Sequence, residues 1–356
     1  MKIIRPMRKS LFKAAIIIVN WNGKKFLKNC FDAICNQTYK KFDVYFVDNG
    51  STDGSIEYVK KIFDNIKIIS LNKNYGFAKA NNYGIKEAFK DKEVKYIVCL
   101  NNDTIVDENW LKELIKTAEK DKRIGMVSSK AYFIDGRIQD AGLSLEKGLH
   151  SSREGGIAVG FGLEDSNFRL KEEIELFVPG GVAPLYKRVM LEKLYAISKE
   201  YFDEDFFAYT EDLDIGFRGR LLGYKCLLSP QAKLIHLFSQ TGGVGSSFKA
   251  YYLERNKFFT ALKDLPLGKL LTFPYYNISL KLDYFLLKNS SFYKLKQQSG
   301  FRGMISILIK AYLSVFCNIP KMLLKRWKIQ SNRKVSNEEI NSWFDRYSRE
   351  IIENEK

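Results

Sequence analysis

Apolar runs and amphipathic stretches alternate along the first hundred residues. Four apolar runs have the length of a β-strand: residues 14–19, 42–47, 66–70 and 94–100. Three stretches between these runs carry apolar residues at helical spacing: residues 24–37, 55–65 and 77–89. This alternation of strand and helix is the βαβ pattern, and it predicts an α/β fold with a parallel sheet.

The pattern continues less regularly into the middle of the chain. Residues 107–120 predict a helix and residues 124–134 a strand, and Asp135-Gly136 is a hairpin turn signal. Residues 142–175 are polar and rich in glycine, which predicts a mobile loop that orders over a substrate. A passive surface excursion is an equal alternative for this stretch.

Polar, small and acidic residues follow each of the four predicted strands. They form the segments 20–23, 48–55, 72–77 and 101–103. In parallel α/β sheets, ligands bind outside the carboxyl ends of the strands. Each segment taken alone fits an ordinary turn or helix cap, but four in succession at one sheet edge favour a ligand site.

These residue types suit a nucleotide and a hard cation. The Asp48 carboxylate can accept a ring N–H of a base, and Trp21 can stack on the base or line its pocket. Asn74 and Asn81 offer amide groups to a base or a ribose. Asp103 is an oxygen ligand for a divalent cation that bridges a diphosphate. Neither GxGxxG nor GxxxxGK[ST] occurs, so the dinucleotide and P-loop classes are excluded.

Charge and composition narrow the class of protein further. The 356 residues include 58 Lys and Arg against 41 Asp and Glu, and the net charge of +17 indicates an anionic partner. Five cysteines without a CxxC motif predict free, buried thiols in a reducing cytosol, and two histidines exclude a multi-histidine metal site. The first apolar run is too short for a signal peptide, and no uncharged apolar stretch reaches the roughly 18 residues of a membrane span.

Four motifs, in this order and spacing, resemble glycosyltransferase family 2 and, more narrowly, its rhamnosyltransferase-like branch. They are AIIIVNWNG at 15–23, VDNGSTDGS at 47–55, NYGFAKANNYGI at 74–85 and LNND at 100–103. The resemblance implies a GT-A (Rossmann-like) fold, a nucleotide-diphosphate-sugar donor and inversion at the anomeric carbon. It also implies that Asp48 contacts the base, that Asn81 lies near the base or ribose, and that Asp103 is the metal-binding acid of a DxD-type motif. Asn101 replaces the first acid of that motif, which leaves one carboxylate.

The sheet-edge argument and the resemblance together give a set of candidate nucleotide- and donor-binding residues. Within it, Gly180-Gly181 allows close backbone approach to a ligand, and the resemblance places this segment at the donor-sugar pocket. The set is Asn20, Trp21, Asn22, Asp48, Ser51, Asn74, Gly76, Phe77, Asn81, Asn101, Asn102, Gly180 and Gly181.

The acids around residue 212 are candidates for catalysis. Inverting transfer needs a carboxylate that takes the acceptor proton, and like charges beside aromatic residues raise the pKa of a carboxyl. A capped, acid-rich helix start is the alternative. Because the stretch matches the family's Glu-Asp motif, we assign Asp212 as general base and Glu211 as its rival or partner. Asp214 is expected either to support packing or to form an ion pair with Arg218.

His236 is the candidate second metal ligand. A lone histidine after an apolar run is usually structural, but here it matches a family segment that closes the donor site. By resemblance, His236 would either bind the metal or contact the diphosphate. As a metal ligand it would hold Mn²⁺ or Mg²⁺ together with Asp103, with phosphate oxygens and waters completing the octahedral shell.

The C-terminal third has a different character from the rest of the chain. Between residues 288 and 334 there are eleven basic residues and no acids, interleaved with aromatic and aliphatic residues. This composition predicts amphipathic helices on an anionic membrane surface; packing helices with a solvated basic face and, least favoured, a nucleic-acid patch are the alternatives. A final helical stripe at 337–356 either packs on the body or pairs with another copy in a homodimer.

The predicted organisation has four parts and one activity. A basic tail (1–13) precedes a GT-A nucleotide-diphospho-sugar transferase domain (14–260), a basic helical appendage (261–334) and a C-terminal helix (335–356). The protein is expected at the inner, cytoplasmic face of the cell membrane, as a peripheral, metal-dependent, inverting glycosyltransferase. It would transfer L-rhamnose from dTDP-rhamnose to a hydroxyl of a glycan or polyprenyl-diphosphate-linked acceptor of the cell envelope.

Three alternatives to this activity stay open. The same fold can use a UDP-sugar donor for GlcNAc, Glc or Gal transfer. A non-catalytic membrane-binding module would use only the C-terminal third. A nucleotidyltransferase would need an early glycine-rich, lysine-containing triphosphate loop, and residues 20–23 offer none.

Overall fold

The computed structural model describes residues 12–149, 157–167, 172–237, 246–286 and 291–354. The strands in these ranges are β1 Lys13–Asn20, β2 Phe42–Asp48, β3 Ile66–Ser70, β4 Val94–Asn101, β5 Thr104–Val106, β6 Ile124–Tyr132, β7 Ile138–Asp140, β8 Glu175–Leu176, β9 Leu185–Lys187 and β10 Lys225–His236. The helices are α1 Lys24–Cys35, α2 Ser55–Ile62, α3 Phe77–Ala88, α4 Trp110–Ala118, α5 Arg188–Ser198, α6 Glu211–Leu221, α7 Ser247–Asp264, α8 Leu267–Leu286, α9 Ser291–Asn332, α10 Asn337–Arg346 and α11 Arg349–Asn354. A 3₁₀ turn spans Glu204–Phe206.

One sheet runs through the molecule in the order β3-β2-β1-β4-β9-β6-β10-β5. Its first four strands are parallel, as the βαβ pattern predicts. The second half is mixed, which corrects the expectation of a parallel sheet. β9 lies antiparallel between β4 and β6, and β5 runs antiparallel to β10. The arrangement is the mixed α/β, Rossmann-like sheet of the GT-A fold.

β1, β2 and β4 are mostly buried on both faces, which explains why these strands are apolar runs without polar alternation. The edge strand β3 is only partly buried. Along β1, Ala14, Ile16 and Ile18 pack into one core cluster with residues of α1 and α4. Ala15 and Ile17 pack into the opposite cluster, which includes residues of α3, α5 and α6. The carboxyl ends of β1, β2 and β4 therefore meet at one edge, between two layers of helices.

The described parts of the stretch 142–175 do not form a mobile surface loop. Leu143, Leu145, Leu149 and Val159 are buried in the core cluster beside α6. Leu143 also forms bridges to Ala158 and Val178, so backbone hydrogen bonds fix the segment. The apolar residues scattered among the glycines explain the difference, since each has a core position to fill.

The C-terminal helices pack back onto the body. α7 and α9 lie side by side, and the backbone of α9 breaks at Gly300, where φ is 67°. Trp343 of α10 contacts Phe177 and Phe217 in the core, with ring centroids 5.9 Å from each. The C-terminal helix thus packs on the body, which was one of the two alternatives for residues 337–356. The predicted domain boundary at residue 260 falls inside α7, and the division into domains stays a prediction.

Two findings refine the expectation for α9. By length and composition, Leu295–Asn332 is the one helix in the described ranges that could cross a membrane, and these criteria alone do not separate a span from a packed or surface helix. Two of its predicted lipid-facing cations point instead at the body. Lys325 pairs with Glu200 and Asp203 at 2.7 and 2.5 Å, and Lys321 pairs with Asp205 at 2.5 Å.

Three of the five thiols are buried as expected: Cys30, Cys99 and Cys226. Cys35 and Cys317 are exposed, and none of the five forms a disulfide.

Candidate active site

A cavity of about 710 Å³ opens at the carboxyl edge of the sheet. Its walls come from segments far apart in sequence: the turn after β1, the turn after β4, the end of β10, the start of α6 and the start of α7. Trp21, Asp103, Asp212, His236 and Phe248 are among its lining residues. The predicted sheet-edge site and the predicted catalytic acids therefore share one cavity.

Asp103 and His236 lie next to each other in the lining of this cavity. The Oδ1 atom of Asp103 lies 3.1 Å from Nε2 of His236, and both side chains are mostly buried. The Nδ1 atom of His236 lies 2.5 Å from Oε1 of Gln139, whose amide nitrogen lies 3.5 Å from the carbonyl of His236. With Gln139 Oε1 as acceptor, Nδ1 carries the proton, and Nε2 presents a lone pair toward Asp103.

Such a pair fits a divalent cation. Neighbouring ligands of an octahedral Mg²⁺ or Mn²⁺ ion with bonds of roughly 2.1 Å stand about 3 Å apart, which matches the Asp103–His236 separation. Two protein ligands leave most of the shell to phosphate oxygens and water. No cluster of three or more His, Cys, Asp or Glu that could hold a metal occurs in the described ranges, so these two residues would bind the ion together with a diphosphate.

Three further carboxyl groups line the cavity. Glu211 and Asp212 occupy the first turn of α6, and Asp140 ends β7. Burial raises the pKa of Asp212, and burial together with the neighbouring Asp212 carboxyl raises the pKa of Glu211. Burial also raises the pKa of Asp140 to about 6. A buried carboxylate of raised pKa is a stronger proton acceptor than an exposed one.

Two glycines make room for these carboxyl groups. A Cβ atom on Gly180 would lie 1.8 Å from Oδ2 of Asp140, and one on Gly181 would lie 2.6 Å from Oδ2 of Asp212. At Gly180-Gly181 the backbone therefore approaches two carboxyl groups of the protein itself, where the sequence predicted an approach to a ligand. Of the two glycines, only Gly181 lines the cavity.

The remaining candidate residues divide into two groups. Trp21, Asn74, Gly76, Phe77, Asn101 and Asn102 line the cavity. The lining does not include Asn20, Asn22, Asp48, Ser51 and Asn81. Asp48 accepts hydrogen bonds from Asn20 Nδ2 at 3.2 Å and Ser51 N at 2.9 Å, and Asn81 donates to the carbonyl of Phe77 at 3.0 Å. Their assignment to nucleotide binding stays a prediction.

Asp214 forms the expected ion pair with Arg218. Its Oδ2 atom lies 2.8 Å from the Arg218 guanidinium, and both side chains are buried outside the cavity. The first turn of α6 thus separates two catalytic candidates from one packing acid.

Sequence reasoning missed Gln139 and Asp140. Both lie on the second arm of the hairpin whose turn, Asp135-Gly136, the sequence does predict. A predicted second hairpin strand, antiparallel to β6, would have placed both residues in the sheet. It also missed Asn49, which lines the cavity and whose amide holds the turn before α3 through Asn74 and Gly76.

The sequence profile of glycosyl transferase family 2 matches residues 15–193. The chain belongs to this family. The matched residues include the strand-end motifs and Gly180-Gly181. Glu211, Asp212 and His236 lie beyond them.

Curated relatives of this family 2 chain include proteins named as polysaccharide synthases. It is 26% identical over 229 residues to poly-beta-1,6-N-acetyl-D-glucosamine synthase of Staphylococcus aureus strain COL, a match that covers 64% of this chain and 50% of the relative. In strain MSSA476 the same enzyme is 28% identical over 252 residues, with 67% and 56% covered. The chain spans about half the length of the curated relatives it matches.

Solved structures of low identity share the fold of this family 2 chain. Residues 1–349 of S. aureus TarS superpose with a TM-score of 0.51 at 18% identity, covering 93% of this chain and 91% of that one. GalNAc-T7, solved with UDP, GalNAc and Mn²⁺, superposes with a TM-score of 0.57 at 16% identity, covering 88% and 59%. None of these relatives is named a rhamnosyltransferase, so that narrower branch stays a prediction.

Proposed function

We propose that this family 2 chain transfers a sugar from a nucleotide-diphosphate donor to an acceptor hydroxyl with inversion. The observation that carries the proposal is the shared cavity, which is lined both by the Asp103–His236 pair and by Glu211 and Asp212. A non-catalytic membrane module would have no need of this pairing.

Asp212 is the general base in this proposal. The acceptor oxygen attacks the anomeric carbon, the bond from that carbon to the diphosphate breaks, and the hydroxyl proton passes to the Asp212 carboxylate. Glu211 has a raised pKa beside Asp212, so it stays largely protonated near neutral pH and leaves the negative charge on Asp212. A divalent cation on Asp103 and His236 would stabilise the charge on the departing diphosphate.

The donor we propose is a UDP-sugar of the N-acetylhexosamine type. The support is the relatives named poly-beta-1,6-N-acetyl-D-glucosamine synthase and the neighbour solved with UDP and GalNAc. The dTDP-L-rhamnose donor predicted from sequence becomes the second candidate. The proposed acceptor is a glycan or a polyprenyl-diphosphate-linked glycan of the cell envelope.

We place the enzyme peripherally at the cytoplasmic membrane surface. The support is an exposed apolar stripe on α9 opposite the face that packs on α7. Phe316, Leu324 and Trp327 of this stripe have exposed fractions of 72, 66 and 70%. Arg302, Lys310 and Lys328, also exposed on α9, supply charge for anionic lipid headgroups. A nucleic-acid partner is not favoured, and a homodimer stays a prediction.

Thermal unfolding in the presence of nucleotides tests the donor site. We expect UDP with Mn²⁺ to raise Tm, and UDP alone to raise it less, while dTDP and GDP serve as specificity controls. Asp103→Ala removes one of two proposed metal ligands, so it should abolish the Mn²⁺-dependent part. A shift with dTDP but not UDP would favour the rhamnose donor, and no shift with any nucleotide would contradict the proposed function.

A further inference from the structure

The backbone that leads into the catalytic acids is strained. The amide of Ala208 donates to the carbonyl of Phe206 at 2.8 Å, which closes a γ-turn at Phe207 with φ 65° and ψ −65°. Tyr209 and Thr210 follow with φ of 68° and 61°. Side chains disfavour positive φ, at a cost of about 1–3 kcal/mol per residue, so such a turn persists only where its surroundings impose it. Glu211 and Asp212 come directly after it.

One buried amide on α7 contacts three carbonyl groups of this turn. The Nδ2 atom of Asn256 lies 3.0, 2.9 and 2.7 Å from the carbonyl oxygens of Phe206, Ala208 and Tyr209. Asn256 is fully buried, so no water competes for these acceptors. Carbonyl groups that converge on a single donor are the kind of surroundings that strained backbone requires.

Arg255 fixes that amide in place. Its Nε donates to Oδ1 of Asn256 at 2.9 Å, which directs Nδ2 toward the turn. Its Nη2 lies 2.7 and 2.9 Å from the carbonyls of Asp205 and Phe206. Together the two neighbours on α7 contact four carbonyls of residues 205–209.

The other side of the turn rests on α3. The carbonyl of Phe207 accepts from the amide of Ala78 at 3.2 Å. A Cβ atom on Gly76 would lie 2.5 Å from that same oxygen, so the turn needs glycine there. Residues 207–210 are thus held between the start of α3 and the middle of α7.

We propose that Asn256, directed by Arg255, is the positioning residue for the catalytic carboxylates. It imposes the strained turn 207–210 and so sets where α6 begins and where Glu211 and Asp212 enter the cavity. The part of this inference that concerns turnover rests on the proposed function, and the part that concerns the turn does not.

The test compares Asn256→Ala and the milder Arg255→Lys with a control on the same helix. Thr260→Val is isosteric, and the hydroxyl of Thr260 is fully buried without a hydrogen-bond partner in the described residues, so this change perturbs α7 without touching the turn. Two readouts are measured on the full chain. The first is amide hydrogen exchange in peptides that cover 205–216. The second is UDP release from UDP-GlcNAc with Mn²⁺, expressed per UDP-binding site.

We expect Asn256→Ala to exchange about tenfold faster in these peptides, with Arg255→Lys intermediate and Thr260→Val like wild type. Release per binding site should fall about a hundredfold in Asn256→Ala, since displacement of reacting groups by an ångström has that effect. The KM for the donor and the UDP-induced shift in Tm should stay near wild type, because the strand ends supply those contacts.

Unchanged exchange in Asn256→Ala would overturn the proposal. Faster exchange with unchanged release per binding site would reduce Asn256 to a structural residue and overturn its positioning role. If the wild-type chain releases no UDP from this donor, the failure lies in the proposed function, and the exchange data alone decide whether Asn256 imposes the turn.

Discussion

Glu211→Gln should stabilise the protein, and by an amount that depends on pH. The Glu211 side chain is 6% exposed, and its Oε2 has no hydrogen-bond partner in the described part of the chain. Burial, with the neighbouring Asp212 and Asp214 carboxyls, raises the pKa of Glu211 from 4.5 to about 8. Folding therefore favours the protonated carboxyl, and glutamine imitates that neutral form at every pH.

The size of the effect follows from the two pKa values of Glu211. Below pH 4.5 the carboxyl is protonated in both states, and the variant gains nothing. As pH rises toward 8, the unfolded chain releases the proton and the folded chain keeps it, so wild type loses about 1.4 kcal/mol per pH unit. At pH 7 the difference in the free energy of unfolding is about 3 kcal/mol, or about 5 °C in Tm.

Urea unfolding and thermal scans at several pH values from 5 to 8 measure this difference. Glu57→Gln is the matched control, because Glu57 also lies in the first turn of a helix, α2, but is exposed. The control makes the same chemical change without removing a buried carboxyl. A Glu211→Gln advantage that is constant from pH 5 to 8, or absent, would refute the view that burial of this carboxyl costs the fold stability.

Three further predictions address the cavity and the membrane surface. Asp212→Asn should lower UDP release by at least about a hundredfold and leave the UDP-induced Tm shift near wild type; wild-type turnover would reject Asp212 as base. Gly180→Ala should cost a few kcal/mol of stability, because its Cβ would overlap the buried Asp140 carboxyl; a Tm equal to wild type would contradict that geometry. The chain should float with anionic but not with zwitterionic vesicles, and Trp327→Ser should weaken this more than Ile134→Ser, whose side chain is 75% exposed on the β6–β7 hairpin; equal effects would count against the α9 stripe.

The first hundred residues show how much of the fold a sequence can reveal. Strand β3 has the predicted bounds, and β1, β2 and β4 differ from theirs by one residue at most at either end. β1, β2 and β4 are mostly buried on both faces, so local composition alone marks them. The partly buried edge strand β3 is marked by its three isoleucines. Parallel strands bring their carboxyl ends together, and the strand-end residues lie at one edge of the sheet as predicted.

The contacts of the cavity that span large sequence distances could not be predicted in this way. Gln139 meets His236 only because β7 and β10 both flank β6, and no local pattern encodes that pairing. The ion pairs of Lys325 could not be predicted either. Its place in a basic stretch predicts a lipid-facing cation, but its partners Glu200 and Asp203 lie far earlier in the chain.

The packing of α10 on the core bears on the order in which the chain folds during synthesis. Phe217 of α6 is covered by Trp343, and the amide of Leu145 donates to the carbonyl of Tyr347. The ribosome releases β1 to β4 long before these partners exist, so this half of the sheet can form early. Phe217 of α6 lacks its cover until Trp343 emerges. The nascent chain therefore completes the packing around β1 to β4 first and the packing around α6 last.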